Sequence, residues 1–238
     1  MESERTRRPR PLHLFFRAIQ GGLGEGNIGL LVSRHGTGKR GVFVSLVVDH
    51  ALQGHRSLTV AVGRSVDRIR AYQDGVLHTL MESLDLKDRA SLMTRVERHR
   101  QIYSFGEDSF SLARLRETLD FLRERAQFDP EVVELVGWPD FHRLEPAEMA
   151  EVKRLAQETR CKLWLAGHSS REDVLDDRGL PPYIARHADR FSVIIDAYHD
   201  DPTVERFVFF AGCVVDDFHH DPDMNRGCPH VFNAEIKP

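Results

Sequence analysis

Two patterns of apolar and polar positions alternate along most of the chain. Short apolar runs, bounded by glycine, proline or charged residues, are typical of buried strands. They predict strands at 28–32, 57–62, 101–105, 132–136, 162–166, 191–198 and 204–210. The last two runs flank the polar segment His199–Thr203, and this arrangement predicts an antiparallel hairpin.

Between these runs, apolar residues recur at the spacing of a helix. The clearest case is the series Leu112, Leu115, Leu119, Leu122 and Ala126, with intervals of three and four. Further helices are predicted at 12–19, 41–53, 66–80 and 145–159, the last with Pro146 in its first turn. Strands that alternate with helices predict an α/β fold, in which helices cover both faces of a mainly parallel sheet and a hairpin adds antiparallel strands at the C-terminal edge.

Bulk composition places the chain among ordinary globular proteins. Its 238 residues suffice for one domain of generous size, and 41% hydrophobic with 29% charged residues is unexceptional. We divide the chain into a basic, disordered tail at 1–11, an α/β domain at 12–212 and a polar C-terminal tail at 213–238.

Charge and cysteine usage exclude several partners. The formal charge of -4 argues against a general attraction to nucleic acid or membranes. No run approaches the ~18 apolar residues of a membrane helix. The three cysteines lie far apart and are odd in number, which indicates reduced thiols in a cytoplasmic protein.

One segment carries the signature of a phosphate-binding loop. Residues 33–40, Ser-Arg-His-Gly-Thr-Gly-Lys-Arg, stand between a predicted strand and a predicted helix. Glycines let backbone N–H groups converge on a phosphate, and the helix N-terminus adds partial positive charge. The candidate nucleotide-binding residues are His35, Gly36, Thr37, Gly38, Lys39, Arg40 and Gly41, with Lys39 reaching the β- and γ-phosphates.

The chain resembles the RecA-like P-loop ATPases, and most of all their KaiC-like branch, from about Leu12 to Gly212. Three segments carry the resemblance: the glycine-rich lead-in at 21–26, the loop at 35–39, and the segment 183–191 before the hairpin. The resemblance implies a three-layer α/β/α domain that takes ATP or ADP. It also makes self-association plausible, because such domains often assemble into rings or filaments.

Four departures from the family pattern concern catalysis. Arg40 replaces the hydroxyl that would hold Mg²⁺, and a guanidinium, which has no acceptor, cannot ligate a metal. Gly63-Arg64-Ser65 stands where the catalytic carboxylates would follow the second strand, and Gly137-Trp138 where a metal-orienting aspartate would end the 132–136 strand. The trans-acting lysine and arginine would end the last hairpin strand, where Phe209–Gly212 stand. Asp67 and Asp140 lie nearby but are poorly placed as substitutes, so we assign no catalytic residue.

A second group of chemically active residues lies near the C-terminus. It comprises Asp216, Asp217, His219, His220, Asp221, Asp223, Cys228 and His230. These are metal-ligand types, but their spacing fits no standard zinc pattern, and we commit to no metal site.

Three functions therefore stay open. The first is a degenerate, non-hydrolysing regulatory or protein-interaction module with a protein partner or a second copy of itself. The second is an ATP-binding protein or slow ATPase in which Arg40 pairs directly with phosphate, so that Mg²⁺ is not required. The third is a metal-binding protein built on the C-terminal tail.

Overall fold

A computed structural model of the protein describes residues 23–33, 39–83, 88–170, 172–201, 204–211 and 230–236. These residues form an eight-stranded sheet in the order β3-β2-β4-β5-β1-β6-β7-β8. The strands are β1 (Ile28–Ser33), β2 (Ser57–Val62), β3 (Arg100–Phe105), β4 (Val132–Val136), β5 (Lys162–His168), β6 (Val193–Asp201), β7 (Val204–Ala211) and β8 (His230–Ile236). The first six are parallel to one another, and β7 and β8 are antiparallel.

Helices flank the sheet on both faces, as predicted, while the helix predicted at 12–19 lies outside the described residues. They are α1 (Lys39–Leu52), α2 (Val66–Ser83), α3 (Arg89–His99), α4 (Leu112–Glu124), α5 (Pro146–Thr159) and the short α6 (Pro182–Ala185). On one face, the apolar stripes of α4 and α5 pack on Leu58, Leu135 and Leu165. On the other, α1 packs on Leu31 and Trp164, while α1, α2 and α3 share a smaller cluster. The predicted three-layer α/β fold with a parallel sheet and a C-terminal hairpin is confirmed.

Local signals explain why α5 begins where the sequence predicted. Glu145 is its N-cap, and the side chain of Glu148 accepts a hydrogen bond from the Glu145 backbone N–H at 2.9 Å, which completes a capping box. Pro146 occupies the first turn, where a missing N–H costs nothing.

The sequence did not predict helix α3, the one-turn helix α6 or strand β8. Helix α3 lies in a charged stretch in which only Val96 is buried, so its apolar stripe is too short to detect. Its start was detectable, since the side chain of Asp88 accepts a hydrogen bond from the backbone N–H of Ser91. Residues 230–236, assigned from sequence to the polar tail, form β8 against β7.

The register of the parallel strands places four residues in one row across the α1 and α2 face. Thr59 pairs with Glu134, Glu134 with Trp164, and Trp164 with Gly29. Because side chains alternate between the faces of a sheet, residues paired in register point to the same face. Glu134, the only charged residue in β4, therefore lies on the face of the sheet that α1 and α2 cover.

Candidate functional site

The predicted nucleotide loop lies between β1 and α1, at the carboxyl end of the parallel strands. Ligands bind at this end in open α/β sheets. His35, Gly36, Thr37 and Gly38 lie outside the described residues. Lys39 and Arg40 are the first two residues of α1, and their side chains also lie outside the description. Gly41 follows in the first turn, and apart from the backbone of its own helix no atom of the described residues lies within 4 Å of a Cβ placed on it.

The end of β2 carries a glycine that its backbone conformation favours. Gly63 has φ +69°, and a Cβ there would lie 2.5 Å from Oε1 of Glu107. A side chain at this position is therefore disfavoured by the backbone conformation, whereas the exposed side chain of Glu107 could move aside. Asp67, the nearest carboxylate along the chain, is exposed in the first turn of α2.

The end of β4 is closed to a side chain by both backbone conformation and space. Gly137 has φ +91°, and its Cβ would lie 2.3 Å from the backbone oxygen of Val62. Asp140, three residues on, is exposed and used locally, since its Oδ1 accepts a hydrogen bond from the backbone N–H of His142 at 3.1 Å. Its Oδ2 also lies 3.7 Å from Nε of Arg143.

The end of β5 is organised by an aromatic side chain from α6. The hydroxyl of Tyr183 lies 2.6 Å from Oδ2 of Asp173 and 3.0 Å from the backbone oxygen of His168, both of which are acceptors. Burial, and then the hydrogen bond to Asp173, raise the pKa of the Tyr183 hydroxyl. Tyr183 is therefore a neutral donor that ties the loop after β5 to α6.

A cavity of about 720 Å³ opens among these strand ends, between the sheet and helices α1 and α2. Its size is within the range of small-molecule sites. Its walls include the aromatic residues Phe43, Trp138 and Phe141. They also include the hydrogen-bond donors Arg64, Arg68 and His168, and the buried acid Glu134.

Glu134 is the site residue that the sequence analysis missed. It is 1% exposed, although it stands in the middle of β4. Its Oε2 accepts a hydrogen bond from Oγ1 of Thr59 at 3.3 Å, while Oε1 is buried and has no hydrogen-bond partner among the described residues. Burial raises the pKa of the carboxyl well above its ordinary value, and the weaker effect of Thr59 opposes the shift. The signal was present in the sequence as a single acid within the apolar run Val132–Val136.

The loop after β4, which forms one wall of the cavity, is braced by Arg186. Nη2 of Arg186 donates to the backbone oxygens of Phe141 at 2.9 Å and Leu144 at 2.8 Å. The ring of His142 lies 3.9 Å from that of Tyr183, centre to centre. The wall that carries Trp138 and Phe141 is thus held by several independent contacts.

The described parts of the chain contain neither a cluster of metal ligands nor a membrane-spanning helix. No group of three or more His, Cys, Asp or Glu side chains is placed there to hold a metal ion. The C-terminal residues that motivated a metal site lie outside the described residues, apart from the backbone of His230 in β8. No helix among the described residues is long and apolar enough to cross a bilayer.

Comparison with known proteins leaves the family open. No protein-family model matches the chain, and no curated protein matches it. What stands is the fold, a mostly parallel α/β sheet compatible with Rossmann-like and P-loop-like domains.

Proposed function

We propose that the chain is a non-hydrolysing regulatory or protein-interaction domain of the RecA-like P-loop type. One observation carries this proposal: both strand ends where carboxylates would be needed bear glycines with positive φ, and the glycine after β4 has no room for a side chain. A Cβ at 137 would collide with the backbone oxygen of Val62, and at 63 the positive φ disfavours a side chain. Phosphoryl transfer relies on a positioned base and metal, and neither β2 nor β4 is followed directly by a carboxylate for these roles.

The first test is ATP turnover with Mg²⁺, measured for the native chain and for Lys39→Ala. We expect the two rates to be equal within error. Robust turnover by the native chain that Lys39→Ala abolishes would overturn the proposal, because it would mean that the loop supports hydrolysis without these carboxylates.

A second candidate is an ATP- or ADP-binding protein in which Arg40 contacts phosphate in place of Mg²⁺. It is favoured by the position of Lys39 and Arg40 at the start of α1, directly after β1 and the loop. The test is calorimetric titration of ATP and ADP with and without Mg²⁺. Affinity should depend little on Mg²⁺ and should be lost in Lys39→Ala. A strict Mg²⁺ requirement in the native chain would contradict the role of Arg40.

Arg40→Ser provides a matched variant for this second candidate. It restores the hydroxyl that usually holds Mg²⁺, so nucleotide binding should become dependent on Mg²⁺. A partner or a second copy of the chain remains part of the first proposal. Light scattering of the purified protein, with and without nucleotide, reports self-association directly.

Metal binding through the C-terminal tail is the third hypothesis of the sequence analysis, and it rests on residue types alone. Elemental analysis of the purified protein tests it. Absence of a stoichiometric metal would count against it.

A further inference from the structure

The carboxyl group of Glu134 is buried, and its Oε1 has no hydrogen-bond partner among the described residues. Such a group is costly in a protein interior, because a buried polar atom without a partner loses its interactions with water. Glu134 also forms part of the wall of the 720 Å³ cavity. An unpartnered buried oxygen beside a cavity is a place where a ligand atom would recover the missing interaction.

A chain of hydrogen bonds fixes the orientation of this carboxyl. Arg100 can only donate, and its Nη1 donates to Oε1 of Gln73 at 3.2 Å. The amide of Gln73 therefore presents Nε2 to Thr59, at 2.9 Å from Oγ1. Thr59 accepts from Gln73, so its single hydroxyl proton is directed at Oε2 of Glu134. Oε2 is thereby an acceptor, and Oε1 is the oxygen left for another partner.

The protonation state of Glu134 follows from its surroundings. Burial and the Thr59 hydrogen bond are the two influences on its pKa, and burial dominates, so the carboxyl favours its neutral form. With Thr59 donating to Oε2, the acidic proton belongs on Oε1. Glu134 then offers a donor, Oε1–H, beside an acceptor, the remaining lone pair of Oε2.

The rest of the cavity favours a flat aromatic body. Phe43, Trp138 and Phe141 contribute aromatic walls, and Ile69 and Val136 add aliphatic surface. Aromatic rings that stack offset or edge to face stabilise a complex by more than the burial of their apolar surface alone. An aliphatic chain would fill the same space without using the paired donor and acceptor of Glu134.

We propose that this cavity binds an amino-substituted aromatic nitrogen heterocycle, the class that includes adenine and cytosine, with its ring nitrogen and amino group paired to Glu134. In this class an acceptor nitrogen stands next to an amino donor, which complements the donor and acceptor of a neutral carboxyl. The inference goes beyond the proposed function, since it is argued without Lys39 or Arg40.

The test is calorimetric titration of adenine and cytosine into the full-length protein, with Trp fluorescence as a second readout because Trp138 lines the cavity. Glu134→Met removes both hydrogen-bonding atoms at similar volume. Glu134→Gln keeps a neutral donor and acceptor at the same place. Purine, which lacks the amino group, is the matched ligand control. Circular dichroism confirms that each variant is folded.

Glu134→Met should weaken binding of the better ligand by about tenfold or more, the loss expected when buried hydrogen bonds are removed. Glu134→Gln should stay within about threefold of the native protein, and purine should bind several-fold more weakly than adenine. The proposal is overturned if neither base binds the native protein, or if folded Glu134→Met binds as well as native.

Lys39→Ala separates this inference from nucleotide binding at the loop. Adenine binding should be unchanged in Lys39→Ala if Glu134 holds the base. A loss of ATP binding in Lys39→Ala with intact adenine binding would support both sites. Adenine binding that depends on Lys39 and not on Glu134 would overturn the inference and leave the loop as the ligand site.

Discussion

The indole ring of Trp164 lies over Gly29, its register partner on the neighbouring strand, and occupies the space a side chain at 29 would need. A Cβ on Gly29 would stand 2.4 Å from the ring, and Trp164 is only 1% exposed, so the ring has nowhere to move. Glycine at 29 is thus a packing requirement imposed by strand β5.

Gly29→Ala should destabilise the fold by about 1–3 kcal/mol, the usual cost of overpacking a filled core. Gly75→Ala, in the exposed part of α2, is the matched control, because outside its own helix backbone no described atom lies within 4 Å of the new Cβ. It should leave stability unchanged or raise it by up to about 1 kcal/mol, because alanine favours the helix. Urea unfolding measures both. Equal effects at 29 and 75 would mean that Trp164 does not confine Gly29.

Stability should depend on pH through Glu134. Its folded-state pKa is raised, so the folded protein holds a proton that the unfolded chain releases above about pH 4.3. The free energy of unfolding should therefore fall as pH rises from that value to the folded-state pKa, by at most about 1.4 kcal/mol per pH unit from this group.

Glu134→Gln removes this titration, so the variant should match the native protein near pH 4 and exceed it in stability near pH 8. Glu151→Gln, at an exposed position on α5, serves as the control and should leave the pH profile unchanged. Unfolding curves measured across this range would contradict the prediction if native and Glu134→Gln profiles ran parallel.

Arg186 should act as a positioning residue for the cavity wall. Its Nη2 holds the backbone oxygens of Phe141 and Leu144, and Arg186→Ala would leave both without that donor. We expect a loss of about 1–3 kcal/mol in unfolding free energy and faster amide hydrogen exchange at 141–144. Arg186→Lys keeps one charged donor and should recover part of both effects. Unchanged exchange in Arg186→Ala would show that the wall is held without this residue.

Cys161 should be unreactive in the native protein. It is 1% exposed, and burial raises the pKa of its thiol to about 11. At pH 8 its thiolate fraction is then about two orders of magnitude below that of an ordinary cysteine. Iodoacetamide labelling followed by peptide mass spectrometry should show Cys161 modified only after unfolding in urea. Equal labelling in both conditions would refute the assignment of a buried, inert thiol.

Most of the fold could be predicted from the sequence because strands and helices leave local patterns of apolar and polar residues. Runs such as Val132–Val136 and the stripe beginning at Leu112 are long and unambiguous, and the alternation of strand and helix leaves few topologies. Helix α3 was not predicted because a helix that buries only Val96 has almost no apolar stripe. Strand β8 was not predicted because it is defined by its pairing with β7, and no local sequence pattern indicates that pairing.

The candidate site also has features that the sequence predicts and features that only the tertiary structure shows. The sequence by itself determined the loop at 35–41 as a phosphate-binding candidate and the absence of carboxylates directly after β2 and β4, since both are statements about residue order. Only the tertiary structure decided that Gly137 leaves no room for a side chain, and that Glu134 is buried beside a cavity between Thr59 and Trp164. These depend on strand register and on which atoms meet across the sheet, and neither is encoded in any short stretch of sequence.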